Sequence, residues 1–216
     1  MNINKTYAVF GLGRYGRSVA AELSKSGADV VAVDIDEEAV NDAVDEIPLC
    51  KCADVTDEHV LKKLGVKNFD VAIVAMAGNL EGSVLVTMLL KQAGVPTVIV
   101  KCADEMHQRI LSKIGADRVV LPESESGTRL AKNLLSSGFI DVIELSKDVS
   151  MIELNVKKDW IGKSLVDLNL RKKYSINVVA IRKNDSVDIV IDPHAPLDGD
   201  MRLIVVANPE KLTRLK

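Results

Sequence analysis

Tyr7-Ala8-Val9-Phe10 runs straight into Gly11-Leu12-Gly13-Arg14-Tyr15-Gly16, and the residues after it, Ser18, Ala20, Leu23 and Gly27, recur at helical spacing. A strand, a tight turn and a helix in that order leave a chain few folds to choose from. The G-x-G-x-x-G pattern gives each glycine a task. Gly11 makes the turn, Gly13 lets backbone N–H groups approach a phosphate, and Gly16 lets the helix pack close to the strand. The start of the helix then turns its positive dipole end toward that phosphate. A second apolar stretch, Asp29 to Asp34, ends in an acid at the spacing of a ribose-binding carboxylate. Gly11, Gly13, Gly16 and Asp34 therefore read as a nucleotide site.

The alternation of strand and helix continues. Asp36 either caps the helix 37–46 or adds a contact to ribose or base. A short strand, Leu49 to Cys52, leads to Ala53-Asp54-Val55-Thr56, where Thr56 or Asp54 caps the next helix and Asp54 stands near the expected place of the base. Asp70 to Ala75 is almost wholly apolar, as expected of a central parallel strand. It opens into Met76-Ala77-Gly78-Asn79, a loop at the end of the sheet where ligands bind, which makes Ala77 and Asn79 candidates. In the following helix Val84, Leu85, Met88 and Leu89 form the expected core stripe. A fifth strand, Thr97 to Val100, is followed by Lys101, either a phosphate ligand or a solvated strand-end charge. A helix 105–114 and a strand 118–121 complete a Rossmann-type doubly wound parallel sheet over residues 1–122. A connecting helix is expected at 123–138. Residues 139–216 read as a small α+β lobe, with strands at 142–145, 151–156, 176–182, 187–191 and 203–207. The strands at 176–182 and 187–191 form a hairpin around Asn184-Asp185, a helix spans 165–168, and a final helix starts near Pro209.

The chain of 216 residues is 47% apolar, enough for a packed core, and its net charge of −3 argues against a nucleic-acid polymer as partner. No apolar run reaches the length of a membrane span, and the N-terminus lacks a signal peptide's apolar region. Cys50, Cys52 and Cys102 read as buried strand thiols of a cytoplasmic protein. A dehydrogenase needs a proton donor beside its nicotinamide. His59 and His107 fall in polar helices, His194 in a loop, and no Tyr-x-x-x-Lys pair occurs. These features disfavour a small NAD-dependent oxidoreductase; a purely structural Rossmann module is the remaining non-catalytic alternative. Gly162-Lys163-Ser164 imitates the end of a phosphate loop but lacks its earlier glycine and reads as a turn. Arg14 occupies a loop position that is often apolar, beside Tyr15. With Lys101 it points to a ligand rich in phosphate charge, ATP or ADP. Glu123 reads as a helix N-terminal acid; its other reading is a carboxylate that tolerates polyphosphate through a divalent cation.

The chain resembles the RCK (regulator of K⁺ conductance) family, in particular the cytosolic gating subunits of bacterial Ktr/Trk-type potassium uptake systems. The residues that carry the resemblance are 9–16, Val33-Asp34-Ile35-Asp36, Ala53-Asp54-Val55-Thr56, 111–117, Pro122-Glu123, 168–174, 176–181 and Leu197-Asp198-Gly199-Asp200. The resemblance implies dimers that assemble into an octameric ring. The ring would attach peripherally, at the inner face of the membrane, to an integral-membrane K⁺-translocating subunit. It implies that ATP and ADP compete for the Gly11–Gly16 loop, with Asp34 on the ribose, Asp36 and Asp54 nearby, Arg14 and Lys101 on phosphate, and Glu123 beside Mg²⁺ or Ca²⁺. It also implies NAD or NADH as the alternative ligand, and cyclic di-AMP at the C-terminal lobe through Arg171, Ile176, Asn177 and Pro193. The chain departs from the family pattern at Ala53 and Ser175, where glycine is usual, and at Ser124, where a basic residue is common.

Overall fold

A computed structural model describes residues 5–135, 139–146 and 148–208. The chain divides into two compact units, Met1–Pro122 and Glu123–Lys216.

The first unit alternates strand and helix: β1 (Thr6–Phe10), α1 (Arg14–Lys25), β2 (Asp29–Asp34), α2 (Glu37–Ala43), β3 (Cys50–Cys52), α3 (Glu58–Leu64), β4 (Val71–Val74), α4 (Leu80–Gln92), β5 (Thr97–Lys101), α5 (Glu105–Lys113) and β6 (Arg118–Val120). All six strands are parallel, in the order β3-β2-β1-β4-β5-β6. Chain order reverses between β1 and β4, and that switch point is where an open α/β sheet leaves a crevice. Side chains alternate across the sheet. Ala8 and Phe10 of β1 join Val86, Leu90, Leu61 and Leu111 on one face, while Val9 joins Ala20, Val40 and Ile47 on the other. Helices therefore cover both faces, and all four residues of β4 are buried, as its continuous apolar run requires.

Two expectations fail within this unit. On α4 the fully buried positions are Gly82, Ser83, Val86, Thr87 and Leu90; Met88 is exposed, and Val84 and Leu89 are only partly covered. Nearly every side of this helix carries apolar residues, so periodicity alone does not select the inner face. The structure selects it with two hydroxyls that bond to the helix's own backbone and preceding loop. Ser83 Oγ donates to the Met76 carbonyl at 3.0 Å and Thr87 Oγ1 to the Ser83 carbonyl at 2.6 Å. The second failure concerns the cysteines. Cys102 is buried, but Cys50 is half-buried and Cys52 exposed, because β3 is the edge strand of the sheet.

The second unit holds α6 (Pro122–Leu135, which starts at the boundary), β7 (Phe139–Ser146), β8 (Val149–Asn155), α7 (Leu165–Leu168), α8 (Leu170–Tyr174), β9 (Asn177–Lys183), β10 (Ser186–Asp188) and β11 (Met201–Ala207). Its sheet is antiparallel, in the order β10-β9-β11-β8-β7. Ile152, Leu154, Leu203 and Val205 face a core completed by Trp160, Leu168, Leu170, Ile176 and Leu197. The hairpin at Asn184-Asp185 is present, but β10 stops at Asp188, short of Ile191. Helix α8 was not anticipated from the sequence; non-glycine residues in the left-handed region stand on either side of it, Asn169 (φ 48°) and Ser175 (φ 56°). Gly162-Lys163-Ser164 is the entry to α7. Ser164 Oγ accepts from the Asp167 N–H at 3.2 Å, and Asp167 Oδ2 accepts from the Ser164 N–H at 3.0 Å, a capping box. The helix expected near Pro209 and the stop at Gly138 lie outside the described residues. Among the described residues no helix is long and apolar enough to cross a membrane.

Candidate functional site

The residues singled out in the first unit all lie at the C-terminal ends of its strands. The register aligns those ends: Phe10 lies beside Val33 and Val74, Asp34 beside Cys52, and Val74 beside Val100. The glycine loop follows β1, Asp34 and Asp36 end β2, Asp54 follows β3, Ala77 and Asn79 follow β4, and Lys101 ends β5.

Two glycines are dictated by geometry. Gly11 sits at φ +97°, and its N–H donates to the Val33 carbonyl at 2.8 Å. A Cβ on Gly16 would lie 1.8 Å from the Gly11 carbonyl oxygen, so only glycine lets α1 come this close to β1. Gly13 differs: a Cβ there would meet nothing within 4 Å. Nothing in the fold demands glycine at that position, whereas a phosphate approaching the backbone does. Gly13 is also the N-cap of α1. It offers no side chain to the free N–H groups, and the first turn carries no acid. The positive end of a twelve-residue helix is thus left for an anion.

Asp34 is half-buried and ties the site together. One carboxylate oxygen, Oδ2, accepts from the Leu12 N–H inside the glycine loop, and the other, Oδ1, accepts from the Asp36 N–H at 2.9 Å. Sequence reading placed Asp34 on ribose but missed its hold on the loop, because Leu12 and Asp34 are 22 residues apart and no local pattern joins them. Asp36 caps α2, accepting from the Glu38 N–H at 2.9 Å. Asp54 accepts from both the N–H and the hydroxyl of Thr56, at 2.9 and 2.6 Å. The hydroxyl contact first, then the backbone one, holds its carboxyl below the ordinary carboxylate range. Neither Asp54 nor Thr56 caps α3. Asp57 does, accepting from the His59 N–H at 2.7 Å. Asn79 is the N-cap of α4 and accepts from the Gly82 N–H at 2.8 Å, while Ala77 is half-buried in the loop before it. The Lys101 ammonium lies 5.8 Å from the centre of the Tyr15 ring. Arg14 is exposed at the start of α1. Glu123 is exposed in the first turn of α6, in the second unit. Among the described residues no three His, Cys, Asp or Glu side chains group to hold a metal ion. A cation at Glu123 would therefore take most of its ligands from phosphate oxygens and water, which is how Mg²⁺ is held beside nucleotides.

Residues 7–122 match the TrkA-N domain model and residues 149–216 the TrkA-C domain model. The Ktr system potassium uptake protein C of Bacillus subtilis is 39% identical over 216 residues, covering 99% of this chain and 97% of the relative. This chain belongs to the Ktr/TrkA family of RCK proteins. The Ktr system potassium uptake protein A of the same organism is 40% identical over 213 residues, covering 99% of this chain and 96% of the relative. Among solved structures, the GsuK channel shares the fold with a TM-score of 0.70 at 16% identity, over 98% of this chain and 38% of that longer one. The GsuK channel bound to NAD matches with a TM-score of 0.66, again at 16% identity and over the same 98% and 38%. In this Ktr/TrkA protein the glycine-loop crevice falls wholly within the TrkA-N domain, and α7, α8 and β8–β11 fall within TrkA-C.

Proposed function

We propose that this Ktr/TrkA protein is a nucleotide-sensing regulatory subunit, not an enzyme, which binds ATP and ADP at the glycine-loop crevice and gates an integral-membrane K⁺-translocating partner. The observation that carries the reading is Gly13. The fold leaves its Cβ space open at an uncapped, acid-free helix start, so the glycine serves an approaching phosphate rather than the packing. Asp34 takes the ribose while bracing the loop, and Asp54 and Asp36 stand toward the base. Arg14 and Lys101 take the terminal phosphate, with a divalent cation between that phosphate and Glu123. Subunits pair through α6 and assemble into an octameric ring at the inner face of the membrane. A ligand shifts a two-shape ring only by binding one shape better, and the γ-phosphate is what ATP has and ADP lacks.

Calorimetric titration of the purified protein with ATP, ADP, NAD⁺ and NADH, each with and without Mg²⁺, tests this. ATP and ADP bind tightly, and only ATP depends on the cation. Arg14→Ala weakens ATP by about ten- to a hundredfold more than ADP, the worth of one or two charge-assisted hydrogen bonds. Glu123→Gln removes the cation dependence. Equal losses for both nucleotides in Arg14→Ala count against the role given to Arg14. An NAD(H)-responsive regulator is the second reading, favoured by the likeness of the fold to the GsuK channel bound to NAD; tight NADH with weak ATP would select it.

The second unit supports a further ligand. A cavity of about 470 Å³ has apolar walls from Leu165, Val166, Ile176 and Val178, with Arg171 and Asn177 among them. Pro193 is drawn to the same place, its carbonyl accepting from the Val166 N–H at 3.2 Å. Apolar walls with one guanidinium suit a base and a phosphate, the chemistry of cyclic di-AMP. Calorimetry with cyclic di-AMP and the Arg171→Ala variant tests that assignment.

A further inference from the structure

Lys101 and Tyr15 come from opposite halves of the Rossmann unit. Tyr15 lies in the first turn of α1, directly after the glycine loop, and Lys101 ends β5, two strands away from β1 on the far side of β4. The ammonium nonetheless stands 5.8 Å from the centre of the tyrosine ring, within the range of a cation–π contact. Both residues are half-buried. The contact therefore spans the switch point between β1 and β4, above the free N–H groups of α1. A polyphosphate bound to the glycine loop has to enter that same span.

We infer that Tyr15 is a specificity-determining residue that competes with the nucleotide's outermost phosphate for Lys101. In the ligand-free protein the ring holds the ammonium across the crevice. A terminal phosphate, a stronger partner for an ammonium than a ring face, draws it away. The ring thus imposes a cost on every ligand that needs Lys101 and none on a ligand that does not. Ligands with a full triphosphate gain the lysine and bear that cost; ligands whose charge ends at the diphosphate do neither. Tyr15 thereby sets how steeply affinity changes between ATP and ADP, independently of Arg14, which lies on the exposed side of the loop. This inference rests on the nucleotide-binding reading above.

A double-mutant cycle tests it, with ATP and ADP titrated calorimetrically into wild type, Tyr15→Phe, Tyr15→Leu, Lys101→Gln and Tyr15→Leu/Lys101→Gln. Tyr15→Phe keeps the ring face and binds both nucleotides as wild type does. Tyr15→Leu releases the lysine and tightens ATP by about two- to fivefold, the worth of an exposed cation–π contact, with ADP unchanged. In the Lys101→Gln background the same Tyr15→Leu change has no effect on ATP. A Tyr15→Leu effect of equal size with and without Lys101, or one shared equally by ADP, overturns the competition while leaving nucleotide binding intact. A wild-type protein that binds neither ATP nor ADP overturns the functional reading itself. Circular dichroism of each variant confirms that it is folded, and the conservative Tyr15→Phe variant keeps the test decisive if Tyr15→Leu does not fold.

Discussion

The glycines of one loop answer to different masters. Gly16 answers to the fold: its missing Cβ is the space occupied by the Gly11 carbonyl oxygen, 1.8 Å away. Gly16→Ala must push α1 off β1, and it lowers stability by about 1–3 kcal/mol in addition to spoiling the site. Gly13 answers to the ligand. It adopts φ −59°, ψ 177°, an ordinary conformation for any residue, with no atom near its absent Cβ. Gly13→Ala therefore changes stability by no more than about 0.5 kcal/mol. It weakens nucleotide binding by about tenfold or more, since the added methyl stands where the phosphate approaches. Denaturant unfolding and calorimetry on the two variants separate the roles. A Gly13→Ala protein that binds ATP normally would remove the observation on which the functional reading rests.

At the scale of elements, caps decide more than charge counts. Asp57, not Asp54, starts α3, so Asp57→Ala lowers stability by about 1 kcal/mol while leaving the crevice unaltered. Asp54→Ala frees only the Thr56 contacts, and its effect falls on ligand binding. Thermal melts with and without ATP distinguish the pair. The α7 cap adds a pH dependence. Asp167 is held below the ordinary carboxylate range, first by the Ser164 hydroxyl and then by its N–H. A carboxyl with a depressed folded pKa gives stability that is full above its unfolded value of about 3.9. That stability is lost as the pH falls through the folded value. Unfolding of the second unit, followed by the single tryptophan Trp160, accordingly weakens with acidification below about pH 4. Asp167→Asn flattens that dependence; an unchanged acid limb would show that the cap does not set it. The order of elements, the switch-point crevice, the ribose acid and the capping role open to Asp36 were legible in the sequence, because each rests on a local pattern of period 2, period 3.6 or a turn residue. What was not legible is non-local. The bond from Leu12 to Asp34 joins residues 22 apart, Lys101 meets Tyr15 across the sheet, and the inner face of α4 is chosen by tertiary contact around Ser83 and Thr87. Helix α8 hides in the sequence because its ends, Asn169 and Ser175, take left-handed conformations that single residues announce poorly unless they are glycine.

For the whole molecule, the regulatory reading requires assembly, and α6 is where the chain leaves apolar surface uncovered. Leu130 is 60% exposed and Leu134 77% exposed, four residues apart and so on one face of the helix. Leaving two leucines in water forgoes about 1.5–3 kcal/mol each relative to burial, a cost that a second subunit's apolar surface removes. The paired substitution Leu130→Asp/Leu134→Asp places two charges in that interface while altering no side chain of either core cluster. The expected outcome by mass photometry is that the wild-type protein runs as an octamer and the variant as smaller species. Its Trp160 emission stays native because the second core is intact. ATP affinity at the glycine loop persists in the variant, since every residue assigned to the ring and phosphates except Glu123 lies in the first unit; only the cation dependence attributed to Glu123, in the first turn of the same helix, is open to change. A variant that remains octameric moves the pairing surface off α6, and a wild type that runs as a monomer refutes the ring.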